Sequence, residues 1–191
     1  MRIGLLGGSF NPAHAGHMHV ARLARRRLRL NQVWLMVSPG NVLKPRGGMA
    51  PFQERLASAR GLADGRRIVA TGIEAALGTR YSVDTVRALQ RLFPRAKFVW
   101  VMGADIMEQL PRWRGWREIA ARVPLLVLPR PSYNHRALAG PAARHLRAGR
   151  RPARAAVALP GAVLPAWTFL PSLQHSASAS AIRAAGQGGA S

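Results

Sequence analysis

The sequence contains no cysteine. That single absence excludes disulfides, thiolate nucleophiles and cysteine-built zinc sites together. No apolar run approaches the roughly 20 residues that a helix needs to span a bilayer. Met1-Arg2 leads straight into Ile3-Gly4-Leu5-Leu6, without the long apolar region of a signal peptide, so the expected location is the cytoplasm. Acidic residues number only seven, and no cluster of carboxylates stands out as a resident cation site. Lysine is nearly missing as well, confined to Lys44 and Lys97.

What is plentiful is arginine, and the formal net charge reaches +22. One reading is a nucleic-acid surface, because a basic patch attracts phosphate backbones strongly and in a salt-dependent way. The arginines, however, run from Arg2 to Arg183 without gathering into one stripe, and they travel with abundant Ala, Gly and Pro. Compositional bias accounts for that distribution better, so nucleic acid ranks as an unlikely partner. The field still favours anionic substrates such as nucleotides. At 191 residues the chain suits one domain, since about 70% of the unfolded surface can be buried at this size.

Apolar runs alternate with helical stretches, as in a parallel sheet covered by helices on both faces. Strands are expected at Ile3–Leu6, Val33–Val37, Ile68–Ala70, Phe98–Met102, Leu125–Leu128 and Trp167–Leu170. Helices are expected over Met18–Leu30, from Pro51 to about Leu62 with Pro51 in the first turn, and from Ser82, with Ser82 as N-cap. Residues 136–165, rich in Arg, Ala and Pro, read as a helix followed by a poorly ordered surface segment. The expected fold class is α/β, a Rossmann-like open parallel sheet in a single domain over residues 1–185, with a disordered tail at 186–191.

The most informative stretch is Gly7-Gly8-Ser9-Phe10-Asn11-Pro12-Ala13-His14-Ala15-Gly16-His17. It joins the first strand to the first helix, where backbone N–H groups and the helix dipole favour an anion. There is no Gly-Lys-Ser/Thr, and the glycine spacing is not that of a dinucleotide fingerprint. His14 and His17, three apart, share a face in a helical turn. A pair of capping histidines is the plain alternative to a catalytic pair. In open α/β sheets ligands lie beyond the carboxyl ends of the strands. The His14/His17 loop, the loop with Lys44 and the loop with Asp105 all fall at such ends.

Gly8-Ser9-Phe10-x-Pro12-x-His14-x-Gly16-His17 resembles the His-x-Gly-His signature of the nucleotidyltransferase superfamily. Three more segments resemble its nicotinate-nucleotide adenylyltransferase branch. They are Tyr81-Ser82-Val83-Asp84-Thr85, then Gly103-Ala104-Asp105-Ile106 with Leu110-Pro111-x-Trp113-x-x-Trp116, and Ser178-Ala179-Ser180-Ala181-Ile182-Arg183. Departures are Asn11 where many relatives carry Asp, and Ala177, Ala179 and Ser180 in the closing motif. Ser180 keeps the hydroxyl of the usual Thr.

The resemblance implies transfer of AMP from ATP to nicotinate mononucleotide, with Mg²⁺ carried by ATP. Catalysis would fall to His17, His14 and Lys44. ATP would be bound by Gly8, Ser9, Phe10, His14, His17, Asp105, Arg130, Ser180, Ile182 and Arg183. The nicotinate nucleotide would be bound by Ser9, Lys44, Ser82, Thr85 and Trp113. Physically, Trp113 can stack on a pyridine ring, Asp105 can accept from ribose hydroxyls or cap a helix, and Arg183 offers a donor fork to phosphate. Nicotinamide mononucleotide and phosphopantetheine remain open as acceptors. So does a non-catalytic nucleotide sensor, disfavoured by the intact histidine pair, or a basic nucleic-acid-binding module without turnover. Oligomeric state is not legible.

Overall fold

The computed structural model describes residues 1–40, 48–130 and 133–172. Lys44, Ser180, Ile182, Arg183 and the expected tail at 186–191 lie outside these residues.

The elements in chain order begin with β1 (Arg2–Gly8), α1 (Ala15–Arg27), β2 (Gln32–Val37), α2 (Phe52–Leu62) and β3 (Ile68–Thr71). A single helical turn, α3 (Ile73–Ala76), leads to α4 (Ser82–Leu92) and β4 (Lys97–Gly103). Then follow α5 (Ala104–Gln109), α6 (Trp116–Arg122), β5 (Leu125–Leu128), α7 (Asn134–Ala139), α8 (Pro141–His145), β6 (Arg150–Arg151) and β7 (Trp167–Phe169). Turns of 3₁₀ helix cover Leu110–Arg112 and Ala153–Gly161.

Among the described residues seven strands form one sheet in the order β3-β2-β1-β4-β5-β7-β6, and every pairing is parallel. From β1 the chain builds outward through β2 and β3, then returns to set β4 on the other side of β1. That reversal opens a crevice at the carboxyl ends of β1 and β4, where doubly wound sheets bind ligands.

Strand periodicity divides the core into two layers. Ile3, Leu5, Phe98, Trp100 and Met102 face one way, against Val86 and Leu89 of α4, Met107 of α5 and Ile119 of α6. Leu6, Val33, Leu35, Val99 and Val101 face the other, against Ala21 and Ala24 of α1 and Leu56 and Ala59 of α2. Ala21 and Ala24, with Met18, lie on the buried face on which a helix with four arginines approaches the sheet. On the surface, Arg87 bonds both Asp84 of its own helix and Glu118 of α6, an exposed cluster that contributes modestly.

Two boundaries differ from expectation. Ser82 is the first helical residue of α4, not its cap: Tyr81 occupies the N-cap, its carbonyl accepting from the Asp84 and Thr85 N–H groups. Pro51 likewise caps α2 through its carbonyl, taken up by the Arg55 N–H at 3.1 Å.

The larger difference concerns residues 136–165. This stretch folds into α7, α8, β6 and the 3₁₀ turns. Ala137, Ala142, Ala143 and Leu146 pack into one core layer, and Ala156 and Leu159 into the other. The Trp167 indole N–H donates to the Leu146 carbonyl at 2.9 Å, tying the stretch to β7. Scarcity of large apolar residues suggested a loose surface, but alanines that sit against the sheet bury their whole side chains. Leu159→Ala therefore loses about 2–5 kcal/mol of stability in urea denaturation. A change below about 0.5 kcal/mol, usual for surface positions, would mean that the stretch is not core.

Candidate active site

β1 runs into the crevice as Gly7-Gly8, and the chain turns through Ser9 and Phe10 into α1. Phe10 is fully buried with φ +48°, a left-handed conformation that a bulky residue holds only when its surroundings fix it. Its ring lies 4.7 Å from that of His17, centroid to centroid. Asn11 staples the turn to the chain leading into α2: its side-chain N–H₂ donates to the Gly48 carbonyl at 3.0 Å and its side-chain oxygen accepts from the Ala50 N–H at 3.1 Å. A carboxylate can only accept. Asn11 thus makes a pair of bonds that a carboxylate at this position could not.

His14 is the N-cap of α1, and its Nδ1 accepts from the Gly16 N–H at 3.1 Å. His17 reaches back, its Nδ1 accepting from the His14 N–H at 3.2 Å. The arrangement is a capping box in which two imidazoles replace the usual hydroxyl and carboxylate. The capping and catalytic readings of this pair are therefore compatible. In a neutral imidazole with Nδ1 as acceptor, the proton sits on Nε2. The caps fix both tautomer and ring direction.

The two rings are 3.8 Å apart. Burial, then the neighbouring His14 and then Arg130 hold His17 down to a pKa of about 3. His17 is consequently neutral at pH 7 and presents a neutral Nε2–H donor. Arg130, just past β5, carries the positive charge at this spot. Its Nε lies 3.6 Å from the Asp105 Oδ1, and its N–H is held by the Asn134 side-chain oxygen at 2.9 Å.

Asp105 is the second residue of α5, whose N-cap is Gly103, so it does not serve as the cap. Its Oδ1 is buried and receives no hydrogen bond among the described residues. A Cβ at Gly103 would collide with that oxygen and sit 3.0 Å from the Arg130 side chain. The glycine is what lets these two groups close over the end of β4. His17, Asp105 and Arg130 thus come from the ends of three neighbouring strands, β1, β4 and β5.

Trp113 and Trp116 differ in burial. Trp116 is buried, edge-on to His145 at 5.2 Å. Trp113 is half-buried and stands edge-on to Trp100 at 6.0 Å, leaving part of its surface open. Gly115 beside it, at φ +66°, packs on Val83 of α4, which brings the start of α4, with half-buried Ser82, close to the Trp113 turn.

Thr85 is fully buried. Its hydroxyl lies 2.8 Å from that of Thr79 and 3.3 Å from the Glu74 carboxylate. Burial raises the Glu74 pKa, partly offset by the bond from Thr85. In this structure Thr85 acts on the start of α4 from beneath, and any role toward the acceptor passes through the backbone it holds.

Sequence reasoning did not single out Arg55 or Glu74. Arg55 is 3% exposed in a chain where arginine is the commonest charged residue, and composition alone hides it.

A stability profile tests the neutral His17. Below about pH 6.5 the unfolded chain takes up a proton that the folded histidine refuses, so stability falls as pH drops toward 3. Between about pH 7.5 and about pH 5, the wild type should lose more urea stability than His17→Asn. Equal losses would mean that His17 is not held neutral.

The sequence matches the cytidylyltransferase-like family model over residues 5–185. It is 60% identical over 187 residues to a Gluconobacter oxydans protein named "Probable nicotinate-nucleotide adenylyltransferase", a match covering 98% of this chain and 96% of that one. A protein of the same name from Gluconacetobacter diazotrophicus is 58% identical, with 96% and 85% covered. A Plasmodium falciparum nicotinic acid mononucleotide adenylyltransferase, solved with NaAD, superposes with a TM-score of 0.70 over 96% of this chain and 82% of that one. At 14% identity, that likeness speaks to the fold. Motifs, topology and relatives converge: the chain belongs to the nicotinate-nucleotide adenylyltransferase family.

Proposed function

We propose that the protein transfers the AMP moiety of ATP to nicotinate mononucleotide, releasing pyrophosphate and forming the deamido form of NAD. The observation that carries the chemistry is the meeting of the neutral His17 donor with Arg130 beyond the ends of β1 and β5. The choice of acceptor rests on the relatives and on half-buried Trp113.

The acceptor phosphate is already an anionic nucleophile near pH 7. One of its oxygens bonds to the α-phosphorus, the bond from that phosphorus to the α–β bridging oxygen breaks, and pyrophosphate leaves with the electron pair. Neither a general base nor a covalent enzyme intermediate is required. The protein holds the two phosphates in line and neutralises charge as it grows. His17 Nε2–H donates to a non-bridging α-phosphate oxygen. A neutral donor suits this role, since no proton has to be transferred.

His14 holds α1 and, with Arg130, Lys44, Ser180, Ile182 and Arg183, contributes to triphosphate binding. The N–H groups of Gly8, Ser9 and Phe10 complete the cradle. Asp105, with an oxygen that receives no hydrogen bond among the described residues, accepts from the ribose hydroxyls. Ser9, Lys44, Ser82 and Trp113 serve the nicotinate nucleotide, with Thr85 beneath them.

Family membership implies a divalent metal with the nucleotide, and Mg²⁺ is our reading. Among the described residues no three His, Cys, Asp or Glu side chains gather around a cation site. We read the ion as entering with the substrate, as MgATP. No helix among the described residues is long and apolar enough to cross a membrane. A cytoplasmic location belongs to the same reading.

Pyrophosphate release is measured with MgATP and, in parallel, nicotinate mononucleotide, nicotinamide mononucleotide and phosphopantetheine. Preference for the first is expected; turnover favouring another would discard the acceptor while keeping the chemistry. His17→Ala is expected to lose at least about a hundredfold in kcat, as when one transition-state donor is removed. Near-normal turnover would remove His17 from the mechanism.

A further inference from the structure

Arg55 is a buried cation whose partners are all neutral. Its Nη1 donates to the carbonyls of Ser9 at 2.7 Å and Ser38 at 2.8 Å. Its Nη2 donates to Pro39 at 3.2 Å and its Nε to Ala50 at 2.9 Å. Among the described residues it makes no ion pair. One guanidinium thus ties the turn after β1 to the end of β2 and to the entry of α2. A buried charge without a counter-charge is unfavourable even where its N–H groups find carbonyl partners.

The Ser9 contact has a geometric consequence. The cis peptides among the described residues are Asn11–Pro12 and Leu164–Pro165, so Ser9–Phe10 is trans. In a trans peptide the C=O and N–H point in opposite directions. With the Ser9 carbonyl drawn inward to Arg55, the Phe10 N–H is turned away from it, toward the crevice side of the turn. The positive φ of Phe10 keeps that peptide plane from following the geometry of the strand before it. A carbonyl bonded to a cation also polarises its own peptide and strengthens the N–H as a donor.

We propose that Arg55 is a positioning residue for the nucleotide: it orients and polarises the Ser9–Phe10 peptide so that the Phe10 N–H meets a phosphate of ATP, and it sets a fixed positive charge beneath that phosphate. The bound triphosphate is then the counter-charge that the buried guanidinium otherwise lacks. This inference rests on the reading of the turn as the ATP cradle. Lysine keeps the charge but carries three donors on one nitrogen, so it cannot supply the four bonds of the planar fork.

The test compares wild type and Arg55→Lys by calorimetric titration with α,β-methylene-ATP and, separately, with nicotinate mononucleotide. In the folded variant, affinity for the ATP analogue should fall at least about tenfold, with acceptor affinity changed less than about twofold. A variant that melts earlier yet binds the analogue like wild type would overturn the proposal and leave Arg55 a purely structural residue. If Arg55→Lys does not fold, amide NMR of the wild type decides. The Phe10 N–H resonance should move downfield with the ATP analogue, and an unmoved resonance would contradict the proposal. Wild-type turnover separates the two ideas: no pyrophosphate release with nicotinate mononucleotide, alongside an Arg55-dependent affinity for the ATP analogue, would remove the acceptor reading alone.

Discussion

The site depends on how the first N–H groups of α1 are satisfied. A helix start leaves donors that need partners, and here imidazole Nδ1 atoms supply two of them, to Gly16 and to His14. Using Nδ1 as the acceptor commits each neutral ring to carry its proton on Nε2. The hydrogen bonds that begin the helix therefore also decide which atom of His17 is a donor and where it points. Serine or aspartate at the same positions would cap the helix as well, but would leave no ring donor to face the crevice.

Around that helix start, the sheet brings together groups distant in the sequence. The reversal of strand order between β1 and β4 makes neighbours of the turn at Gly8–Phe10, the Gly103–Asp105 segment and Arg130. The strands are apolar, so the core fixes where these polar groups stand. Burial, His14 and Arg130 together keep His17 unprotonated, while Arg130 also stands close to Asp105, and the missing side chain at Gly103 leaves room for both. Opposite charges and a neutral donor share one corner without cancelling.

Much of this was legible in the sequence. Every strand of three residues or more was visible as an apolar run, because a parallel sheet covered on both faces needs continuous hydrophobicity. The His14/His17 turn stood out through its glycines and spacing. Two kinds of information were hidden. Burial by alanine was one: Ala142, Ala143 and Ala156 carry no periodic signal in a chain so rich in alanine, and the stretch from 136 to 165 read as surface. Burial of polar groups was the other. Nothing in the sequence distinguishes Arg55, with its four carbonyl partners, from the arginines in water. Likewise Thr85 read as a ligand residue because its motif was visible, while its partners Glu74 and Thr79 were not. Helix caps erred by one residue where a backbone carbonyl did the work expected of a side chain, as at Tyr81.

The central claim is that His17 is a neutral, Nε2-protonated donor fixed by the helix cap. Nitrogen-15 NMR of the histidine rings tests it most directly, by following the His17 nitrogens from neutral pH into acid in the absence of nucleotide. The account predicts a protonated Nε2 and an unprotonated Nδ1 at neutral pH, with no second proton taken up until well below the ordinary histidine range. A proton on Nδ1, or a titration near pH 6.5, the ordinary histidine value, would contradict it.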